Sequence, residues 1–410
     1  MWHSRSTPMK LLFVHECFGA LAGAEANILA TAKGLQELGH VVGIVHGPPT
    51  GKQEADWDET FKLRYPFGQK ADAEHVRQVV EAFQPDAIYA HKLGDLRVLK
   101  TLGEANVPVV RMVHDHDLYC MRSYKYNYFT RRICERPASF YCVVPCGAFI
   151  TRNPQSRVPL KWVSYASKHR ELRLNRKFER LIVATDFMKR ELLRNGFAAE
   201  KVEIHAPVPD ATGPSASSSF GERNRIVFAG QLVRGKGVDL LLEALSRVRT
   251  PFECFVFGDG NHRNVCEQRS RELGLAERVH FKGHVSREEI GRHYLDASLA
   301  VVSSVWPEPF GAVGLEAMRF GLPVVAFDAG GIKEWLTHGH NGYLVPWQDC
   351  AAFGQRVEEL LKNKALARQL GAQGRELMER NFSFSKYVDD LEDLFLRVTG
   401  RDLQPIAALC

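Results

Sequence analysis

In the stretch "WPEPFGAVGLEAM", seven residues separate the carboxylates Glu308 and Glu316, among them a proline, an aromatic ring and two glycines. A surface helix scatters its acids among lysines and a buried one avoids them, so this spacing suits a polar ligand. Pro309 fits the first turn of a helix and keeps the residue before it extended. That reading puts Glu308 just outside a helix and Glu316 about two turns inside it. The helix start then offers the unpaired amides of Phe310 and Gly311 to an anion. One carboxylate can accept sugar hydroxyls beside a diphosphate, and the other the vicinal hydroxyls of a ribose. The plainer reading is a capping acid followed by an exposed helix acid.

Cations and glycines recur at other strand exits. "FAGQLVRGKGVDLL" supplies Gln231, Arg234 and Lys236, with Gly235 and Gly237 on either side of the lysine. It lacks the order of a Walker A loop, which argues against an ATPase, yet cations beside a helix start suit a diphosphate. "VFGDGN" contributes Gly258, Asp259 and Gly260, and "FKGHVS" contributes Gly283. "VHECFGALAGAEANI" brings Gly23 to the start of a helix, where backbone amides can approach a phosphate. Any one of these is an ordinary turn; together they favour a nucleotide site.

The elements that would hold these residues alternate between strand and helix. "MKLLFVHE", "VVGIVHG", "DAIYAH", "VPVVRMVH" and "RLIVATDF" read as buried strands with helical segments between them. The pattern breaks at 207–224, where Pro, Gly and Ser crowd together as in a linker. It then restarts with "RIVFAG", "FECFVFGDG", "RVHFKG", "SLAVVSS" and "LPVVAFD". The expectation is an α/β protein of two Rossmann-like domains with parallel sheets facing across a ligand cleft. The first domain takes 1–206 with an insertion at about 119–175, and 207–224 is the linker. The second domain takes 225–383, and 384–410 forms a helix and tail that cross back to the first.

Of the 410 residues 45% are apolar and 25% charged, as in ordinary globular proteins. The net charge of +6 is uneven, with 17 Lys and Arg against 6 Asp and Glu from Cys120 to Glu200. Such a tract suits an anionic partner, either a phosphorylated substrate or an anionic membrane surface carrying the acceptor; solvated helix faces are the alternative. Nucleic-acid binding lacks a recognition motif. No apolar run is long enough to span a membrane, and "LLFV" is too short for a signal-peptide core. Met9 is a second candidate initiator. Nine cysteines without a secretory signal suit the cytoplasm, with peripheral attachment to the inner face of a membrane.

Two further clusters invite metals. Cys120, Cys134, Cys142 and Cys146 could hold a structural zinc, although their spacing is not the paired CxxC kind. Buried thiols are the alternative, and a redox role a third. Asp115 and Asp117 in "DHD" have the spacing of a metal–diphosphate clamp, but they follow a mid-domain strand in a cation-rich pattern, which argues against it.

"WPEPFGAVGLEAMRFGLPVVAFDAGGIKEWLTHGHNGYLVP" closely resembles the signature segment of family 4 glycosyltransferases, which are retaining, nucleotide-sugar-dependent enzymes of the GT-B fold. "AGAEANILATAKGLQELGH", "VHDHD" and "GQL…KG" resemble the family's glycine loop, central histidine segment and diphosphate loop, so the likeness runs over nearly the whole chain. It implies that Glu308 faces the donor sugar, that the Phe310 and Gly311 amides lie by sugar and phosphate, and that Glu316 holds the ribose. Lys236 would neutralise the diphosphate and His114 would lie beside the transferring sugar. Gln231 stands where the family usually has arginine, leaving Arg234 as a substitute. The family's paired glycines are here Ala22–Gly23. The implied reaction moves a sugar from UDP or GDP to a hydroxyl of a glycan or lipid-linked acceptor. It needs no catalytic metal, and the departing phosphate oxygen takes the acceptor proton. A nucleotide-sugar epimerase of similar fold and a non-catalytic sugar-nucleotide-binding subunit are the rival readings.

Overall fold

The computed structural model describes residues 7–20, 23–67, 72–128, 130–152, 160–208 and 217–401. The chain divides into two compact units. Unit 1 comprises Met1–Ser123, Glu135–Asp210 and Phe384–Cys410, and unit 2 comprises Tyr124–Cys134 and Ala211–Ser383.

Unit 1 contains strands β1 (Lys10–His15), β2 (Val41–His46), β3 (Leu63–Pro66), β4 (Ala87–Ala90), β5 (Val109–Val113), β6 (Ile150–Arg152), β7 (Leu160–Trp162), β8 (Arg180–Val183) and β9 (Val202–Ile204). Seven of them form one sheet in the order β3-β2-β1-β4-β5-β8-β9, every pair parallel. β6 and β7 pair separately and antiparallel. Side chains alternate across a strand, and β1 shows what that does here. Leu11 and Phe13 enter one core with Ile28, Leu35, Leu391 and Phe395. Leu12 and Val14 enter another with Val76, Phe83, Leu99 and Leu102. With helices on both faces, the strands read as continuous apolar runs rather than alternating ones.

The helix Phe384–Thr399 packs in unit 1 through Tyr387, Val388, Leu391 and Phe395. A side chain at Gly34 of the helix Gly23–Glu37 would meet Val388 Cγ2 at 2.8 Å, so that glycine sets how closely the two helices approach. Tyr387 accepts hydrogen bonds from Asn27 at 3.3 Å and Thr31 at 3.4 Å, and His40 Nε2 lies 3.1 Å from Glu392. The tail beyond Arg401 lies outside the described residues.

Unit 2 holds β10 (Arg225–Ala229), β11 (Glu253–Phe257), β12 (Val279–Gly283), β13 (Leu299–Val302), β14 (Val324–Phe327) and β15 (Gly342–Val345). Their order is β12-β11-β10-β13-β14-β15, again all parallel. Both sheets reverse strand order beside their first strand, the arrangement that opens a crevice at the strands' carboxyl ends.

Two boundaries differ from expectation. Residues 124–134, inside the insertion assigned to the first domain, belong to unit 2. The stretch 207–224 is also more than a spacer. Residues 209–216 are outside the described set, but Ser218 Oγ donates to Ala297 O at 2.6 Å and Phe220 is buried. Beyond its proline-rich first half, that segment is therefore docked on unit 2.

Candidate functional site

The loop after β10 and the loop after β13 converge within unit 2. Lys236 closes a short 3-10 turn, Arg234–Lys236, and its Nζ lies 2.6 Å from Glu308 Oε1. The same carboxylate oxygen accepts Trp306 Nε1 at 2.9 Å and the Ser304 hydroxyl. Glu308 is 4% exposed. Burial pushes its carboxyl up, but the Lys236 ammonium, Ser304 and Trp306 outweigh it and hold the group below the usual carboxylate range. The result is a fixed anion with a cation against it. Lys236 also lies 5.0 Å over the Trp306 ring, which further orients the ammonium.

Backbone fixes the pair. Ser303 Oγ donates to Lys236 O at 2.9 Å, and the Val305 and Trp306 amides both donate to Gly235 O, at 2.8 and 3.1 Å. Glu308 is held against the segment after β14, donating to Ala329 O at 3.1 Å and accepting from the Gly331 amide at 2.7 Å. Gly330 between them has φ 70°, and a Cβ there would meet Glu308 N and O at 2.6 Å. A side chain at Gly258 would collide with Gly230 O, and one at Gly260 with Leu232 O. These two glycines therefore let the β11 exit pack on the Gln231 loop. Gln231 itself is exposed.

The helix after Glu308 starts later than its proline suggested. It runs Ala312–Arg319 with Gly311 as N-cap at φ 79°, a left-handed turn that interrupts the path from Pro309. Glu316 thus lies about one turn inside, not two. Among the described residues, the Phe310 and Gly311 amides donate to no protein acceptor. Phe310 O accepts Trp335 Nε1 at 2.7 Å, which anchors the loop before the helix. Glu316 is half-buried, and desolvation raises its carboxyl despite Arg287 and Arg319.

Sequence reading missed the partner of the lysine loop. Within unit 2, Tyr124–Cys134 folds back on itself, with an isolated antiparallel bridge between Tyr126 and Ile133. Arg131, buried, pairs with Asp239 at 2.6 Å, and the Arg234 guanidinium lies 5.0 Å over the Tyr128 ring. A Cβ at Gly235 would come within 3.3 Å of the Tyr126 hydroxyl. Ser304 and Trp306 were missed too, although hydroxyl and indole donors flanking a buried acid were visible in the stretch itself.

Gly23 and His114 are in unit 1. Gly23 opens its helix with nothing among the described residues within 4 Å of a Cβ placed there; Ala22 lies outside the described residues. His114 follows β5, its Nε2 3.0 Å from His91 Nδ1. Burial drives His114 down to about 3 and His91 well below its ordinary value, so both rings are neutral at pH 7. Lys92 lies 2.9 Å from Asp115 and 3.7 Å from Asp117, so an ammonium already neutralises the acids of the supposed metal clamp. The four-cysteine zinc is a correction. Among the described residues, no three of Cys120, Cys134, Cys142 and Cys146 bring their sulfurs within ligand range of one another. Cys134 lies in unit 2, whereas the other three lie in unit 1.

The two imidazoles make a pH prediction. Unfolding frees each to take a proton at about pH 6.5, whereas the folded rings resist it, so stability falls as pH falls below that value. The loss reaches about 1.4 kcal/mol per pH unit for each ring. Asp117 works oppositely, since burial and Asp115 raise it from 3.8 to about 6 and its protonation favours the fold. Urea unfolding followed from pH 7 to 4 should show a shallower acid loss for His114→Asn than for the wild type. Identical slopes would contradict the assignment.

Comparison with known proteins follows the same division. Residues 21–207 match the family model described as Glycosyltransferase Family 4, and residues 214–377 match Glycosyl transferases group 1. The chain belongs to the family 4 glycosyltransferases. It is 27% identical over 249 residues to mannosylfructose-phosphate synthase of Agrobacterium fabrum, covering 55% of this chain and 54% of that one. It is 30% identical over 187 residues to the GDP-mannose-dependent alpha-(1-6)-phosphatidylinositol monomannoside mannosyltransferase of Mycobacterium tuberculosis, covering 43% and 48%. The chain thus spans about half the length of these curated relatives. HepE of Anabaena, crystallised with UDP, superposes with a TM-score of 0.72 at 19% identity, over 95% of this chain and all of that one. The shared fold is GT-B. No helix among the described residues is long and apolar enough to cross a membrane.

Proposed function

We propose that this family 4 glycosyltransferase is a retaining enzyme that moves a sugar from UDP or GDP to a hydroxyl of a glycan or lipid-linked acceptor. The observation that carries the reading is the Lys236–Glu308 pair together with the amides of Phe310 and Gly311, which donate to no acceptor among the described residues. A cation and a helix start aimed at one place suit a diphosphate, and a fixed carboxylate beside them suits sugar hydroxyls. As the glycosidic bond breaks, negative charge grows on the departing diphosphate. Lys236, Arg234 and the two amides stabilise it, and no metal enters the step. The departing phosphate oxygen takes the acceptor proton on the face it leaves, which retains the anomeric configuration without a protein nucleophile. Glu308 positions the sugar and Glu316 holds the ribose. Gly23 and His114 keep the roles that the family resemblance gives them.

The names of the relatives support both donor bases, since one is GDP-mannose-dependent and one was crystallised with UDP. A lipid-linked acceptor is favoured by the mannosyltransferase relative and by the basic insertion, where Phe140, Val144 and Trp162 are 66, 60 and 71% exposed. Exposed aromatics among cations suit a cytoplasmic membrane surface. The test incubates the full chain with UDP- and GDP-sugars, with and without glycan or lipid-linked acceptors, and follows nucleoside diphosphate release and product anomer by NMR. Acceptor-dependent release with retained configuration is expected. An altered sugar formed without acceptor would make it an epimerase, and binding without turnover a non-catalytic subunit.

A further inference from the structure

A second cluster lies in unit 1, in the loop that leaves β1. His15 ends the strand, Cys17 follows two residues on, and Glu25 lies in the first turn of the helix Gly23–Glu37. They are 0, 8 and 2% exposed. Cys17 Sγ is 3.2 Å from His15 Nε2, and Glu25 Oε1 is 3.6 Å from the same nitrogen. All three ligand atoms lie within 4.8 Å of one another.

A hydrogen-bonded relay would use the two ring nitrogens for two different partners. Here thiol and carboxylate both face Nε2, while Nδ1 has no partner among the described residues. The nitrogen, the sulfur and the carboxylate oxygen, three atoms of metal-ligating type, thus converge on one small buried volume. Zinc bonds of about 2.0–2.3 Å at tetrahedral angles separate their ligands by roughly 3.4–3.6 Å, close to both measured edges.

We propose that His15, Cys17 and Glu25 bind a divalent cation of zinc-like preference. One nitrogen, one sulfur and one carboxylate oxygen form a three-ligand set with room in the coordination sphere for water. The ion ties the end of β1 to the start of the first helix, and so braces the loop that carries Gly23.

The test uses the full chain, stripped with a chelator and titrated with cobalt(II). Readouts are thiolate-to-cobalt charge-transfer absorption and, for zinc, the bound equivalents by elemental analysis. About one equivalent and a charge-transfer band are expected, with the band lost in Cys17→Ser. Glu25→Gln, which keeps size and hydrogen bonding, should bind more weakly by about tenfold or more while its circular dichroism stays that of the wild type. A protein with Cys120, Cys134, Cys142 and Cys146 all changed to serine should keep the band. Absence of the band, its survival in Cys17→Ser, unaltered affinity in Glu25→Gln, or loss of the band in the fourfold variant would each overturn the proposal.

Discussion

Lys236→Ala is expected to slow sugar transfer by about 100- to 1000-fold, the usual cost of losing one group that stabilises charge developing in a transition state. The lysine's ammonium is held against Glu308 at 2.6 Å and over Trp306, so it does not have to be ordered as the reaction proceeds. Arg234 sits one turn of backbone away, over the Tyr128 ring, and does not replace it at Glu308. Because charge grows on the diphosphate only as the bond breaks, the loss should fall mainly on kcat. Steady-state kinetics with the donor found by product analysis decides it. A rate within about threefold of wild type would remove Lys236 from the chemistry.

Gly330→Ala is expected to cost at least about 3 kcal/mol of stability. The residue has φ 70° and ψ −120°, a region closed to side chains, and a Cβ would collide with both the amide and the carbonyl of Glu308. Relief would require breaking the hydrogen bonds that join Glu308 to Ala329 and Gly331, so the carboxylate would lose its position as well. The contrast is Gly23→Ala, where the new methyl meets nothing among the described residues and the fold should be nearly unaffected. Urea titrations of the two proteins should differ widely. Equal midpoints would mean that the segment after β14 moves away at little cost.

How much was legible depended on burial. The strands β1, β2, β4, β5 and β8 of unit 1 and β10 to β14 of unit 2 are mostly apolar runs, and reading them as parallel core strands followed from composition. β3, β6, β7, β9 and β15 were missed, and of these β3 and β9 are short edge strands with little buried surface. Leu63–Pro66, for example, has only one partly buried residue, so no apolar signal marks it. The pairing of Glu308 with Lys236 was reachable because both stood in strand-exit loops with distinctive neighbours. The exact helix start was not, since Gly311 decides it by a backbone angle that the adjacent proline obscures. Nor was the packing of Tyr124–Cys134 beside Arg234, a contact between segments over 100 residues apart with no local pattern to announce it. The cysteine zinc failed for a related reason. Spacing says which thiols are near in sequence, and only the fold says which are near in space.

Equilibrium titration of UDP and GDP onto the wild type and the Lys236→Ala protein addresses the diphosphate site without the acceptor. Tight binding of one nucleotide by the wild type, weakened about tenfold or more by the substitution, is the predicted result. If neither nucleotide binds, or if the substitution leaves the affinity unchanged, the loop from Arg234 to Lys236 is not where the diphosphate rests.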